Sequence, residues 1–301
     1  MLPAIAILAA ALCFSTTGTA QALAGVDASP LAVGAARIVV GGGILGLIAL
    51  LPRRAAVRRP PRGGRTALLI AIGAIGVLAY QPLFFLGTRD NGVAVGTVVA
   101  LGSAPIATGI VDAVRLRRPP SVRWMTATAL ALAGVVLVSG VVGGAVALSP
   151  AGLLGSAGAG MSYALYTVCG KTLIERGWNS TRVMGAVFGV AAVASVPVLL
   201  LAGTAWLFTS EGLSLALWLG VVTTAVAYLL FGWGLARLSA VTVATLTLAE
   251  PLAATLLGLF VLSERLTLVS GIGLALIAVG LAVVSVPSRR REEVPDAAPR
   301  P

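Results

Sequence analysis

The chain has 301 residues, of which 58% are hydrophobic and only 10% are charged, and its formal net charge is +11. Its mean hydropathy of +1.03 excludes an ordinary soluble domain and indicates a protein of the lipid bilayer. Helices and closed barrels are the structures that satisfy every backbone hydrogen bond in a bilayer, and the long unbroken apolar runs of this sequence predict helices.

Ten apolar runs follow one another along the chain, and each is long enough to cross about 30 Å of hydrocarbon as one helix. They cover residues 3–22, 31–51, 66–86, 92–112, 124–142, 151–170, 182–203, 213–235, 240–262 and 267–286. The first run is predicted to be a membrane span and not a secretory signal, because no Lys or Arg precedes it and its second half is polar. The residues after the tenth run, 287–301, are rich in proline and charge, which predicts a disordered cytoplasmic tail there.

Basic residues predict the orientation of these spans, since short loops rich in Lys and Arg stay in the cytoplasm. With the N-terminus in the cytoplasm, every one of the 21 basic residues except Arg37, Arg89 and Arg265 falls on the cytoplasmic side. Both termini are therefore predicted to be cytoplasmic. The arginines are divided among short loops, where they set the topology and attract anionic lipid heads, so we expect no nucleic-acid partner.

The two halves of the sequence resemble each other at two places. Val95–Ala107 (VGTVVALGSAPIA) and Val243–Ala254 (VATLTLAEPLAA) each carry a proline near the middle of the fourth span of their half. Cys13–Leu23 and Ser162–Leu173 each carry small and hydroxyl residues at the end of the first span. Five spans are therefore predicted to occur twice.

These similarities predict one five-helix unit at residues 1–142 and a second at 143–286. Because five is an odd number, the second unit enters the membrane upside down, which gives an inverted repeat. Such repeats are a recurring plan of secondary transporters, with the substrate site near mid-membrane between the halves. Kinks predicted at Pro105 and Pro251 would help the two halves rock against each other.

The segment Ala227–Val284 resembles the C-terminal part of an EamA-type transporter of the drug/metabolite transporter superfamily, through the aromatic-rich span that ends in GLARLSA, the Glu-Pro pair and the ERLT turn. The first half is similar to the same family through TRDNGVAVGTVVALGSAPI, so the resemblance extends from Leu2 to Val286. It implies ten helices in two inverted five-helix repeats, and export or exchange of small metabolites without ATP. Members often carry a Trp-Gly pair where this chain has Cys13 and Phe14, so the cavity wall differs there and the substrate of a relative does not carry over.

Glu250 lies deep in the ninth span, where a carboxylate must face a cavity, form a pair or be protonated. Two roles are open: it binds a substrate ammonium or carries a proton, or it bridges helices by hydrogen bonds. Pro251 removes the backbone bond to the Thr247 carbonyl, which the Thr247 hydroxyl or water is expected to satisfy. Arg37 is the other charge within a span. It is expected to make a simple polar or snorkelled contact, with binding of a substrate carboxylate or pairing with Glu250 as the alternatives.

Tyrosines and other polar side chains are the next candidates for a binding site, because a tyrosine joins a flat apolar face to a hydrogen-bonding group. Ordinary helix packing and an interfacial aromatic belt are the alternative interpretations. The first, third, fourth, sixth, eighth and ninth spans are predicted to enclose the cavity. The predicted substrate-binding residues are Phe14, Thr17, Gln21, Tyr80, Gln81, Tyr163, Tyr166, Trp233 and Glu250.

Glycine-rich stretches in the fifth and tenth spans, Gly134–Gly140 and Gly271–Gly280, allow helices to approach closely. The resemblance implies that these two spans lie at the edge of the bundle. We expect them to pack within a monomer, with a homodimer as the alternative.

An intramembrane enzyme is the rival class. The sequence contains no histidine, which removes His-based metal sites and Ser-His or Cys-His pairs, and Glu250 is the only acidic residue well inside a predicted span. No cofactor and no metal site are expected. A channel is disfavoured because the sequence shows no ring of charge and no repeated filter motif.

The sequence therefore predicts a multi-pass protein of the inner (cytoplasmic) membrane that exports small organic metabolites by alternating access, with or without proton coupling. Amino acids or related compounds are the leading substrate class, which the resemblance supplies. A drug or nucleoside exporter and an uncoupled facilitator are the alternatives.

Overall fold

A computed structural model describes residues 1–51, 63–139, 148–261 and 267–286, and in these ranges the chain forms helices and no strands. The helices are α1 (Leu2–Ala24), α2 (Pro30–Leu50), α3 (Gly64–Gly92), α4 (Val95–Leu116), α5 (Val122–Val138), α6 (Pro150–Glu175), α7 (Ser180–Ala202), α8 (Ser210–Leu235), α9 (Ala240–Val261) and α10 (Leu268–Ser285), with a short 3-10 turn at Ala205–Phe208.

Hydroxyl and amide side chains fix where most of these helices begin. Each accepts a hydrogen bond from a backbone N–H of the first turn, which is otherwise without an intrahelical partner. These caps are Ser29, Ser121, Ser149, Asn179, Thr209, Ser239 and Thr267. Pro30 and Pro150 follow two of the caps, at the first helical position, where a missing N–H does no harm.

Eight of the helices in the described ranges are long and apolar enough to cross a membrane. The two others are α5, a shorter apolar helix, and α6, which has 26 residues and lies largely buried. An all-helical fold is thus confirmed for the part of the chain that the structure describes, whereas the total of ten spans and the cytoplasmic position of both termini stay predictions. The basic residues predicted at 53–62 and 289–300, Arg265, the boundary at 142 and the tail at 287–301 lie outside the described residues.

Gly92, at φ 80° and ψ 158°, separates α3 from α4 near the predicted boundary between the third and fourth spans. Two predicted spans have interruptions that the apolar pattern did not indicate. The middle of α8, Trp218–Val226, is a π-helix. In α9, two separate helical segments, Ala240–Leu246 and Ala249–Val261, meet at Thr247 and Leu248.

Helices of each half of the chain pack against helices of the other half. The first helix of the first half, α1, packs against α8 and α9, whereas the first helix of the second half, α6, packs against α3 and α4. The second helices of the halves, α2 and α7, pack on each other, as do the fifth helices, α5 and α10. This reciprocal pattern encloses a central space between the halves.

The α5–α10 contact uses the glycines that the sequence singled out. A Cβ atom on Gly273 would lie 2.7 Å from the Gly134 carbonyl oxygen, and one on Gly280 would lie 2.6 Å from the Ala127 carbonyl oxygen. Only glycine permits backbones to approach this closely. These glycines therefore pack within one chain; Gly140 lies outside the described residues, and a homodimer stays untested.

Candidate functional site

A cavity lies at the centre of the bundle, among the helices of both halves. Its volume is about 80 Å³, room for a few water molecules. Eight helices contribute to its wall, and none of the described residues of α5 or α10 does. The lining residues are Phe14, Arg37, Ile38, Val77, Tyr80, Gln81, Ala100, Leu101, Ala104, Tyr163, Tyr166, Phe188, Tyr228, Thr247, Leu248 and Glu250.

Six of the predicted substrate-binding residues line this cavity: Phe14, Tyr80, Gln81, Tyr163, Tyr166 and Glu250. The other three lie outside it. Gln21 donates a hydrogen bond to the Thr17 carbonyl one turn earlier in α1, at 3.3 Å, beyond the cavity wall. The ring of Trp233 lies under the Arg237 guanidinium, 3.9 Å from its carbon, near the end of α8.

Arg37 is fixed at the cavity by the π-helical part of α8. Its Nε donates to the Thr224 hydroxyl and its Nη2 to the Thr223 carbonyl, each at 3.0 Å. The two threonine hydroxyls both donate to the Leu219 carbonyl at 2.8 Å. π-Helical segments are rare and frequently occur at functional sites. The simple polar contact expected for Arg37 is present, and the same side chain also lines the cavity.

Gly41 and Gly220 bring α2 and α8 close enough for this contact. A Cβ atom on Gly220 would lie 2.6 Å from the Val40 Cβ, and one on Gly41 would lie 2.5 Å from the Gly220 carbonyl oxygen. Any larger residue would therefore separate the two helices. The Arg37 guanidinium reaches Thr223 and Thr224 because these glycines lie one turn away on each helix.

Aromatic rings form the wall on the side of the second half. Tyr228 lies 4.0 Å from Phe188 and 5.2 Å from Phe14 between ring centroids, and its hydroxyl is 3.2 Å from that of Tyr166. Tyr163 meets Tyr166 edge to face at 5.1 Å. Sequence reasoning missed Tyr228 and Phe188, since a single aromatic residue in an apolar span does not reveal which way it points.

Glu250 begins the second segment of α9, directly after the interruption. Its N–H donates to the Thr247 carbonyl at 2.9 Å, which satisfies the acceptor that Pro251 leaves without an N–H partner. The expectation that the Thr247 hydroxyl would do this is wrong, because that hydroxyl donates to the Ala244 carbonyl at 2.8 Å and lies 3.0 Å from the Tyr163 hydroxyl. Pro251 itself lies in the first turn of the new segment, where proline is tolerated.

The fourth helix differs from the ninth at the equivalent proline. Helical backbone continues through Pro105, and Gly92 is the only residue with non-helical geometry between Gly64 and Leu116. The kink predicted at Pro105 stays a prediction.

Two opposite charges thus share the wall of one cavity. Among the described residues, no ion pair within 4.0 Å joins Arg37 to Glu250, and Glu250 has no salt bridge at all. A wall with one cation, one anion and several aromatic faces offers a separate partner to each charge of a small organic solute. The described residues contain no group of three or more His, Cys, Asp or Glu side chains that could hold a metal ion.

Comparisons with known proteins agree with this architecture. The model of the EamA-like transporter family matches residues 1–140 and again residues 150–286. A protein of Bacillus subtilis (strain 168) named "Uncharacterized transporter YwfM" is 39% identical over 287 residues, which cover 95% of this chain and 94% of the relative. An "Uncharacterized transporter" of Archaeoglobus fulgidus is 34% identical over 126 residues, 41% of this chain and 44% of the relative.

A solved crystal structure has the same fold, with a TM-score of 0.75 over 94% of this chain and 96% of its own, at 22% identity. The family model covers both halves of the chain, and the Bacillus relative covers nearly its whole length. The resemblance found in the sequence is therefore confirmed: this multi-pass membrane protein, with its two repeats, belongs to the EamA-like transporter family.

Proposed function

We propose that the protein exports small zwitterionic metabolites, with amino acids as the leading class, across the inner (cytoplasmic) membrane by alternating access. The observation that carries this proposal is the presence of Arg37 and Glu250 in the same cavity without an ion pair between them. A buried charge is stable only when something compensates it, and a solute with both charges compensates the two at once.

Each charge has a defined role in this proposal. A guanidinium has five N–H donors in a planar fork that matches a carboxylate, and the bonds to Thr223 and Thr224 use two of them, which leaves donors for the substrate carboxylate. Glu250 accepts from the substrate ammonium. Since Glu250 is the only acidic residue among the described residues that line the cavity, it is also the proposed carrier of a proton when no substrate is bound.

Alternating access follows from the way the halves are connected. We infer that the second half is inverted relative to the first. The first helix of each half packs against helices of the other half, and an inverted repeat produces this reciprocal packing. The interruption of α9 beside Glu250 is the proposed hinge, since backbone there is free to change without breaking a long helix.

The test is transport by purified protein in proteoliposomes, with three solutes of one shape: leucine, its amide without the carboxylate, and its hydroxy acid without the ammonium. Wild type is expected to move leucine fastest, and an imposed pH gradient to accelerate it. Glu250→Gln should abolish that acceleration, and Arg37→Gln should remove the preference for leucine over the amide. A wild type that moves the amide or a cationic drug better than leucine would overturn the zwitterion proposal, and transport that ignores both the gradient and Glu250→Gln would leave an uncoupled facilitator.

A further inference from the structure

A second and larger cavity is a groove on the outside of the bundle, between α2 and α7. Its volume is about 790 Å³, and glycine, alanine, valine and leucine form most of its wall. Because Gly42 meets Phe188 and Ala192 while Ala49 meets Gly185, the two helices run in opposite directions along it. Trp178 and Arg182 therefore lie at the same end of the groove as Leu50.

Glycines keep this groove both narrow at its base and open at its mouth. At the base, a Cβ atom on Gly189 would lie 3.1 Å from the Gly46 Cα, so the two helices approach closely there. At Gly43, by contrast, a Cβ atom would have no neighbour within 4 Å. Gly43 therefore leaves open space that no atom of the described residues fills, next to residues of both halves.

The end of the groove near Leu50 carries two polar side chains without hydrogen-bond partners among the described residues. Arg182 lines it and makes no hydrogen bond or ion pair with any other described residue. The Trp178 Nε1 is buried and has no hydrogen-bond partner among the described residues. Among the described residues that line the groove, none is acidic and Arg182 carries the one formal charge.

The predicted topology places this end of the groove at the cytoplasmic surface, where anionic lipid heads are concentrated and tryptophan N–H groups lie at the level of those heads. We propose that the groove binds one anionic phospholipid. Its phosphate accepts hydrogen bonds from the Arg182 guanidinium, and one acyl chain lies along Gly43 and Gly46. The lipid touches both halves of the chain and is independent of the substrate in the central cavity.

Native mass spectrometry of the full chain in a mild detergent tests this proposal, with phosphatidylglycerol and phosphatidylcholine of identical acyl chains as the probes. Wild type is expected to bind one phosphatidylglycerol about tenfold more tightly than phosphatidylcholine. Arg182→Gln should remove this preference by weakening phosphatidylglycerol binding alone. Gly43→Leu should weaken both lipids, because its side chain extends into the path of the acyl chain from a Cβ position that has no described neighbour within 4 Å.

Two matched variants serve as controls. Arg237→Gln removes a positive charge from the same predicted side but outside the groove, and Gly18→Leu adds the same bulk at another helix glycine whose Cβ position has no neighbour within 4 Å. Both should bind lipid as wild type does. The proposal fails if no lipid is retained, if the two head groups bind equally, if Arg182→Gln and Gly43→Leu bind like the controls, or if a second copy of the chain appears in place of the lipid.

Discussion

At the scale of single residues, the two threonines that hold Arg37 differ in one useful way. Both are completely buried, and both hydroxyls donate to the Leu219 carbonyl at 2.8 Å. Only the Thr224 hydroxyl accepts from Arg37, whereas Thr223 uses its backbone carbonyl, which a side-chain substitution leaves in place. The two positions therefore form a natural pair for testing the role of Arg37.

Thr224→Val should raise the KM for leucine about tenfold, since a hydrogen bond to a charged group contributes about 1.5–3 kcal/mol and a loosened guanidinium meets the substrate carboxylate less well. Thr223→Val should leave the KM within about twofold of wild type, because Arg37 keeps both partners. Transport kinetics in proteoliposomes provide the measurement. Equal effects of the two substitutions would show that Arg37 does not depend on its hydrogen bond to the Thr224 hydroxyl to bind substrate.

How far the sequence predicts the site depends on how unusual each residue is in its span. Glu250 is conspicuous as a carboxylate in an apolar run, and Arg37 as a cation. The partners of Arg37 are 186 and 187 residues away in sequence and depend on a π-helix, which a pattern of apolar residues does not encode. The pattern of apolar residues also does not show that Thr17 and Gln21 lie beyond the cavity wall, although Phe14 on the same helix lines the cavity.

At the scale of helices, the interruption in α9 is the feature that the apolar pattern conceals. The run 240–262 is continuous in hydropathy, yet the helix stops at Leu246 and starts again at Ala249. Pro251 indicates an irregularity, but the loss of helix precedes it, because the residues before a proline are the ones that its ring and its missing N–H affect. Pro105 shows that a proline alone does not interrupt a helix in this bundle.

Pro251→Ala should slow leucine transport several-fold while leaving the melting temperature equal or higher. The new N–H competes with that of Glu250 for the Thr247 carbonyl, and alanine favours a continuous helix across the proposed hinge. Pro105→Ala is the matched control, and it should change the rate less, since α4 is already continuous there. An unchanged rate in Pro251→Ala would remove the hinge from the mechanism.

Tyr163 connects α6 to the same interruption through the Thr247 hydroxyl, so its phenol group should affect both stability and transport. Tyr163→Phe is expected to lower the free energy of unfolding by about 1 kcal/mol, the usual contribution of one buried hydrogen bond. Thr128→Val removes a similar buried contact, 2.8 Å long, between α5 and Thr245, away from the cavity. Both variants should melt at similarly reduced temperatures, but only Tyr163→Phe should alter the transport rate. A Tyr163→Phe protein that transports like wild type would make this contact purely structural.

At the scale of the whole molecule, the halves are joined at one end of the bundle by a cluster of charges. Arg115 of α4 contacts Asp112 at 2.7 Å and Glu175 of α6 at 2.5 Å. Lys171 of α6 donates to the Leu235 carbonyl of α8 at 3.0 Å. The side chain of Asp112 is only 5% exposed, so its charge depends on Arg115 for compensation. The cluster lies between helices of different halves, where the proposed alternating access would require contacts that open and close.

Cys169 provides a built-in reporter for this end of the bundle. It lies on α6 between the halves, it is only 7% exposed, and a Cβ atom on Gly73 of α3 would lie 3.7 Å from its own Cβ. Cys13 is the only other cysteine of the chain, so a Cys13→Ser background reports on Cys169 alone. The rate at which a maleimide reacts with this thiol then measures how often the halves separate here.

Arg115→Gln should raise the rate of Cys169 modification about tenfold in that background, because loss of the guanidinium leaves Asp112 without its buried partner and removes the contact to α6. Arg89→Gln is the matched control: it breaks an ion pair with Asp90 in which the Arg89 side chain is 75% exposed, and such pairs contribute little. Substrate should lower the modification rate in the Cys13→Ser background if it holds the halves together. A Cys169 that stays equally protected in Arg115→Gln would mean that helix packing, and not the charge cluster, closes this end, and the interruption in α9 would then remain as the proposed moving part.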